Sequence, residues 1–204
     1  GNAGQDIFFD DKDRCRFFLL LQEGRERYCH RIHAFCLMTN HIHLTIQVGE
    51  VPLSRIMQNL SFSYTRWVNW RQQRIGHLFQ GRFKAILVDA DAYLLELTRY
   101  IHLNPVRAAM VQSPEEYPWS GYRAYLGRET IPWLTTDPVL SQFGSTLERA
   151  CRGYRAFVDQ GKEEGHIREY HSGTDTDSRL LGDDTFVDKV LARAAVSPPA
   201  APCS

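Results

Sequence analysis

The order of apolar and polar positions divides the chain into distinct elements. Residues 11–24, DKDRCRFFLLLQEG, show a charged first turn, an apolar run and then Gly24, the pattern of a helix and its stop. Two stretches, YCHRIHAFCLM (28–38) and HIHLTIQV (41–48), predict strands joined by a TN link short enough for a tight hairpin. Residues 52–73 open with Pro52 and place Ile56, Leu60, Tyr64 and Trp67 at helical spacing. RFKAILVD (82–89) returns to strand character. Asp89 or Asp91 then caps a helix, AYLLELTRYIHLN, which Pro105 limits. An irregular stretch, SPEEYPWSGYRAYLG, is followed by a helix around TLERACRGYRAFVDQ, a polar linker over 161–182, a short helix DDTFVDKVLARAA and the tail VSPPAAPCS.

The succession helix, strand, strand, helix, strand, helix predicts an α+β sandwich, with helices on one face of an antiparallel sheet and the other face free for a ligand. Within residues 41–48, alternation puts His41, His43, Thr45 and Gln47 on one face and Ile42, Leu44, Ile46 and Val48 on the other. Buried on its apolar side, such a strand presents two adjacent imidazoles, good donors for a divalent metal. Taken alone, His-x-His is more often an ordinary half-exposed strand pair.

The next helix adds chemistry. Tyr100 and Asn104 are four apart, hence neighbours on one helical face. Asparagine supplies a hard amide oxygen beside two imidazoles. Tyrosine supplies a phenol, a weak nucleophile at neutral pH that becomes useful where a cation polarises the electrophile. Tyr93, two turns earlier, is a rival nucleophile without a ligand four residues on. His102 faces away from Tyr100 and Asn104 and is expected to be structural, and His30 and His33 point to opposite strand faces, so they cannot extend the metal site together. Tyr64, Trp67 and Trp70 suit the core better than base-stacking.

Composition narrows the classes. The chain has 204 residues, 43% hydrophobic and 12% aromatic, enough for a domain core with appendages. No run approaches the length of about 18 apolar residues that a membrane span needs, and no signal-peptide pattern stands at the start. Five cysteines (Cys15, Cys29, Cys36, Cys151, Cys203) are scattered without CxxC spacing, which argues against a disulfide framework or zinc knot and suits a reducing cytoplasm. Net charge is zero, but residues 66–107 hold seven basic against three acidic residues, and residues 162–189 hold four against eight. A polyanion would meet the middle of the chain.

With these residues in view, NHIHL followed by YIHLNPVRAAMV resembles the single-tyrosine HUH transposases, and within them the REP-associated tyrosine transposases of bacteria. HLFQGRFKAILVD and EYPWSGYRAYLG are similar to segments flanking those motifs. The likeness spans roughly residues 1–160. It implies a ferredoxin-like antiparallel sheet with the active site on its open face: a catalytic domain over 1–127, a helical extension over 128–160, and an acidic linker with the start of a C-terminal helical region over 161–204. It also implies a strand ahead of GNAGQDIFFDD, without which a sheet edge would lie bare or be filled by another chain.

By the resemblance, His41, His43 and Asn104 would hold Mg²⁺ or Mn²⁺, and Tyr100 would attack a phosphodiester of single-stranded DNA. A 5′-phosphotyrosine link would form and a 3′-hydroxyl would be freed. From their own placement, Arg82 and Lys84 alternate on the strand over 82–89 and either grip phosphates from one face or are simply solvated; Arg107 is a similar candidate, and Gln80 either contacts DNA or closes a turn. The expected partner is single-stranded or hairpin-forming repeat DNA, in the cytoplasm and on the nucleoid, with no membrane. Relatives include dimers, so a homodimer is one expected assembly. Two other readings fit the same fold: a catalytically silent, domesticated DNA-binding protein, and an RRM-like RNA-binding module. The second needs aromatics on the open face, where this chain has His, Thr and Gln.

Overall fold

A computed structural model describes residues 4–162, 170, 173 and 177–196. Much of the stretch expected as a linker, and the tail from residue 197, lie outside the described residues. The chain forms two compact units: residues 1–83 with 98–165, and residues 84–97 with 166–204.

In the first unit, helix α1 (Asp11–Tyr28) is capped by Asp10, whose carboxylate accepts from the Lys12 and Asp13 amides. It runs through Gly24 rather than stopping there. A helical glycine costs only about 1 kcal/mol, and the turn beyond it ends in a proper cap: Cys29 adopts φ 53°, with its amide bonded to the Arg25 carbonyl. Strands β1 (Arg31–Leu37) and β2 (Ile42–Gln47) form the expected antiparallel hairpin, each slightly shorter than its apolar run, with an irregularity at His33. Helix α2 (Leu53–Arg71) follows Pro52 and buries Ile56, Leu60, Tyr64 and Val68.

The core lies between the apolar face of this hairpin and the two helices. Ile7, Phe8, Phe17, Leu20, Leu21, Phe35, Leu60, Tyr64 and Val68 are buried together, with Ile42, Leu44 and Ile46 of β2 packed against them. Helices on one face of an antiparallel sheet make the fold α+β, as the succession of elements predicts. An ion pair ties the two helices: Arg71 bonds Asp10 at 2.7 Å and the fully buried Asp13 at 3.1 Å.

The aromatic stretch after Pro114 lies along the far edge of β1. Leu37 donates to the Trp119 carbonyl, Gly121 to that of Phe35, and the Tyr125 hydroxyl to that of His33. This leaves β2 at the sheet edge among the described residues.

Residues 82–86 do not form the third strand expected from RFKAILVD. Only β3 (Leu87–Val88) is extended and paired, and its partner is β4 (Leu180–Leu181), in parallel, within the second unit. Strand character needs a ladder to join, and residues 82–86 join none among the described residues. The second unit also contains the start of helix α3 (Ala90–Arg107) and helix α4 (Asp184–Val196). Asp89 rather than Asp91 caps α3, accepting the Asp91 amide at 3.2 Å. Pro105 does not limit α3: the helix continues to Arg107, because a proline in the last turn removes one bond while the Ala108 and Met110 amides still find the Asn104 and Pro105 carbonyls.

Candidate functional site

The alternation of β2 does what its pattern predicts. Ile42, Leu44 and Ile46 face the core, and His41 and His43 lie together on the opposite face, ring centroids 4.8 Å apart and nearly perpendicular at 87°. His41 stands one residue before the paired strand begins, and both imidazoles are half-buried. His41 Nδ1 lies 2.6 Å from Asn40 Oδ1. An amide oxygen only accepts, so Nδ1 carries the hydrogen and Nε2 keeps its lone pair. Burial lowers the His41 pKa, which favours this neutral form. Across the hairpin His43 pairs with Cys36, a fully buried thiol that burial pushes up and keeps protonated, with its Sγ 3.4 Å from Met38 Sδ.

Tyr100 and Asn104 occupy successive turns of α3, and both are buried, at 3% and 8% exposure. Burial raises the Tyr100 phenol pKa, while the nearby Arg107 cation pulls it down. Arg107 lies over the Tyr100 ring at 4.5 Å and donates to the Tyr100 carbonyl at 3.0 Å. The Asn104 side-chain nitrogen has no protein partner among the described residues. A buried amide of this kind is ready for a ligand oxygen.

His102, on the other side of the same helix, is fully buried between Tyr122, Tyr125 and Tyr154. Its Nδ1 lies 2.7 Å from the Tyr154 hydroxyl, and burial holds its pKa at about 3, so it is neutral and structural. His33 bonds the Thr135 carbonyl and Gln47, and the buried His30 lines a small cavity with Leu20, Leu21 and Ile46; neither joins the histidine pair.

The softer candidates are placed differently. Gln80, Arg82 and Lys84 are exposed on irregular chain, so Arg82 and Lys84 do not share a strand face. Tyr93 lies in the second unit, its amide on the Asp89 carbonyl. Two features escaped sequence reasoning: the bond to Asn40 that sets the His41 tautomer, and the seat of Arg107 on Tyr100. Adjacency in NHIHL hints at the first; nothing local hints at the second.

Residues 5–104 match the family of IS200-like transposases, a span that holds both the histidine pair and the Tyr100–Asn104 turn. Over that span, just under half of its length, the chain is similar to that family. It is also 26% identical over 118 residues to a Haemophilus influenzae protein whose name is that of a REP-associated tyrosine transposase, covering 52% of this chain and 67% of the relative. No solved structure matches the chain significantly. The expected likeness to single-tyrosine transposases therefore holds at the level of the family. Among the described residues, no helix is long and apolar enough to cross a membrane.

Proposed function

We propose that this chain is a metal-dependent single-stranded DNA endonuclease and strand transferase with Tyr100 as its nucleophile. The observation that carries the proposal is the histidine pair: two imidazoles 4.8 Å apart on one sheet face, with His41 Nε2 left free by the bond from Nδ1 to Asn40. An oriented neutral imidazole whose other nitrogen is held by an amide is the arrangement metal ligands adopt.

The donor set fits a hard divalent cation, Mg²⁺ or Mn²⁺. Among the described residues no three His, Cys, Asp or Glu side chains cluster as a metal site, so a third protein donor would be of another type, as the Asn104 amide oxygen is. Such an ion supplies electrophilic polarisation of the phosphate. The protein's own residues do the rest. The Tyr100 oxygen gives up its proton and bonds to phosphorus as the P–O3′ bond breaks, leaving a 5′-phosphotyrosine, and the departing O3′ takes up a proton to become a 3′-hydroxyl. The ester conserves the bond energy for later strand transfer, so no nucleotide cofactor is needed. Arg107 positions the phenol by stacking and opposes the effect of burial on its pKa. The Asn104 amide nitrogen offers a donor to a phosphate oxygen. Because Tyr100 is only 3% exposed, DNA must displace what covers it before attack.

The substrate we propose is a hairpin-forming repeat, in keeping with the REP association in the name of the Haemophilus relative, and the place of action the cytoplasm. Covalent trapping tests the whole reading. The full chain is incubated with end-labelled single-stranded hairpin DNA and Mn²⁺, beside Tyr100→Phe and His41→Ala variants, and analysed on a denaturing gel. A labelled protein band that needs Tyr100, His41 and metal is the expected result. DNA binding without any such band would instead identify a silent DNA-binding protein.

A further inference from the structure

Helix α2 carries a second stripe that its packing does not use. Its buried residues recur every fourth position, at Ile56, Leu60, Tyr64 and Val68. Gln58, Phe62, Arg66 and Trp70 recur with the same spacing but offset by two residues, about 200° around the helix. All four are exposed, and Arg55 extends the row by one turn. Phe62 is 65% and Trp70 71% exposed, a costly display for rings of this size. Trp70 leans on Trp67, ring centroids 5.3 Å apart, so one face is supported and the other is open.

The charge of the stripe is equally one-sided. From Val51 to Val88 the sequence contains no aspartate or glutamate but six arginines and lysines. Arg71 is engaged by Asp10 and Asp13, whereas the side chains of Arg55 and Arg66 form no ion pair among the described residues. An arginine set between two exposed rings, with no acid nearby in sequence, matches a strand of nucleic acid: the rings take base faces and the guanidinium groups take phosphates. Phe62 and Trp70 are about 12 Å apart along the helix axis, room for more than one nucleotide between two stacked bases.

We infer that the solvent face of α2, through Arg55, Phe62, Arg66 and Trp70, is a binding track for single-stranded DNA separate from the histidine pair. Ile42, Leu44 and Ile46 pack β2 onto the core that α2 covers, so the track and His41–His43 lie on opposite faces of the first unit. The track therefore holds DNA remote from the bond that is cut. This inference rests on the proposed action on DNA and adds where the flanking strand is held.

The test is fluorescence anisotropy with long and short single-stranded oligonucleotides, using the full chain in a Tyr100→Phe background so that no cleavage intervenes. Phe62→Ala/Trp70→Ala and Arg55→Gln/Arg66→Gln variants are compared with it, and circular dichroism checks the fold. Each pair is expected to weaken binding of the long strand at least about fivefold, with short strands unaffected. The arginine variant should also lower the salt dependence. Photo-cross-linking of a bromodeoxyuridine strand should label Trp70. Unchanged affinity for the long strand, with no cross-link on α2, overturns the track while leaving DNA binding at the histidine face intact. If the parent protein binds no DNA but binds vesicles of anionic lipid, both the track and the DNA reading fall.

Discussion

The guanidinium of Arg107 lies 4.5 Å above the ring of Tyr100 and donates at 3.0 Å to the carbonyl oxygen of the same residue. One side chain thus grips the proposed nucleophile at both its ring and its backbone, seven positions away on the same helix. The grip survives because α3 continues past Pro105 instead of ending before it.

Removing this grip should be felt at Tyr100. Burial raises the phenol pKa and Arg107 lowers it, so Arg107→Ala leaves burial unopposed and moves the pKa further up. A partly desolvated cation over a ring is worth about 1–2 kcal/mol, so DNA cleavage should slow roughly five- to thirtyfold. Ultraviolet titration of the phenolate, compared between wild type and variant, separates this effect from simple loss of fold. An unchanged titration with unchanged cleavage would remove Arg107 from the mechanism.

The bond from His41 Nδ1 to Asn40 makes a second prediction. Asn40→Ala frees the imidazole to change tautomer and to rotate, and loss of such an outer partner commonly costs about 10–100-fold in metal affinity. Calorimetric titration of Mn²⁺ into wild type and Asn40→Ala reads it directly. Equal affinities would mean that the Asn40 bond does not prepare the site.

Stability should depend strongly on Asp13. Its carboxylate is fully buried, meets Arg71 at 3.1 Å and accepts the Phe9 amide at 2.9 Å. Asp13→Ala leaves Arg71 with only the exposed Asp10 and should cost about 3–5 kcal/mol. Chemical denaturation measures the loss; a change below about 1 kcal/mol, the scale of a surface pair, would contradict it.

His102 sets a pH dependence. Its pKa is held at about 3 by burial, against an ordinary value of 6.5, so between these values the unfolded chain binds a proton that the folded chain does not. Its contribution is therefore fully present above pH 6.5 and is lost as pH falls towards 3, at up to roughly 1.4 kcal/mol per pH unit. His30, also depressed by burial, acts with the same sign. Denaturation curves from pH 7 to pH 4 should steepen in this sense, and His102→Gln should flatten them. A variant with the same slope as wild type would show that protonation there is not linked to folding.

Periodicity alone was enough to identify the hairpin, the inward faces of β2 and α2, the shared face of His41 and His43, and the single helical face of Tyr100 and Asn104. These relationships depend on repeats of two and about 3.6 residues, which the backbone imposes on any sequence that adopts the element. Tertiary structure decided what each element meets. RFKAILVD has strand composition, yet only Leu87 and Val88 are paired, because a strand exists through its neighbour. Gly24 and Pro105 are stop signals in local terms, and both lie inside helices whose remaining bonds outweigh one weak residue. Trp70 follows Trp67 by one helical turn but lies outside the core, because burial depends on which face of α2 reaches α1 and the sheet. The bond from His41 to Asn40 and the seat of Arg107 on Tyr100 depend on side-chain rotamers and local packing, which no periodicity encodes.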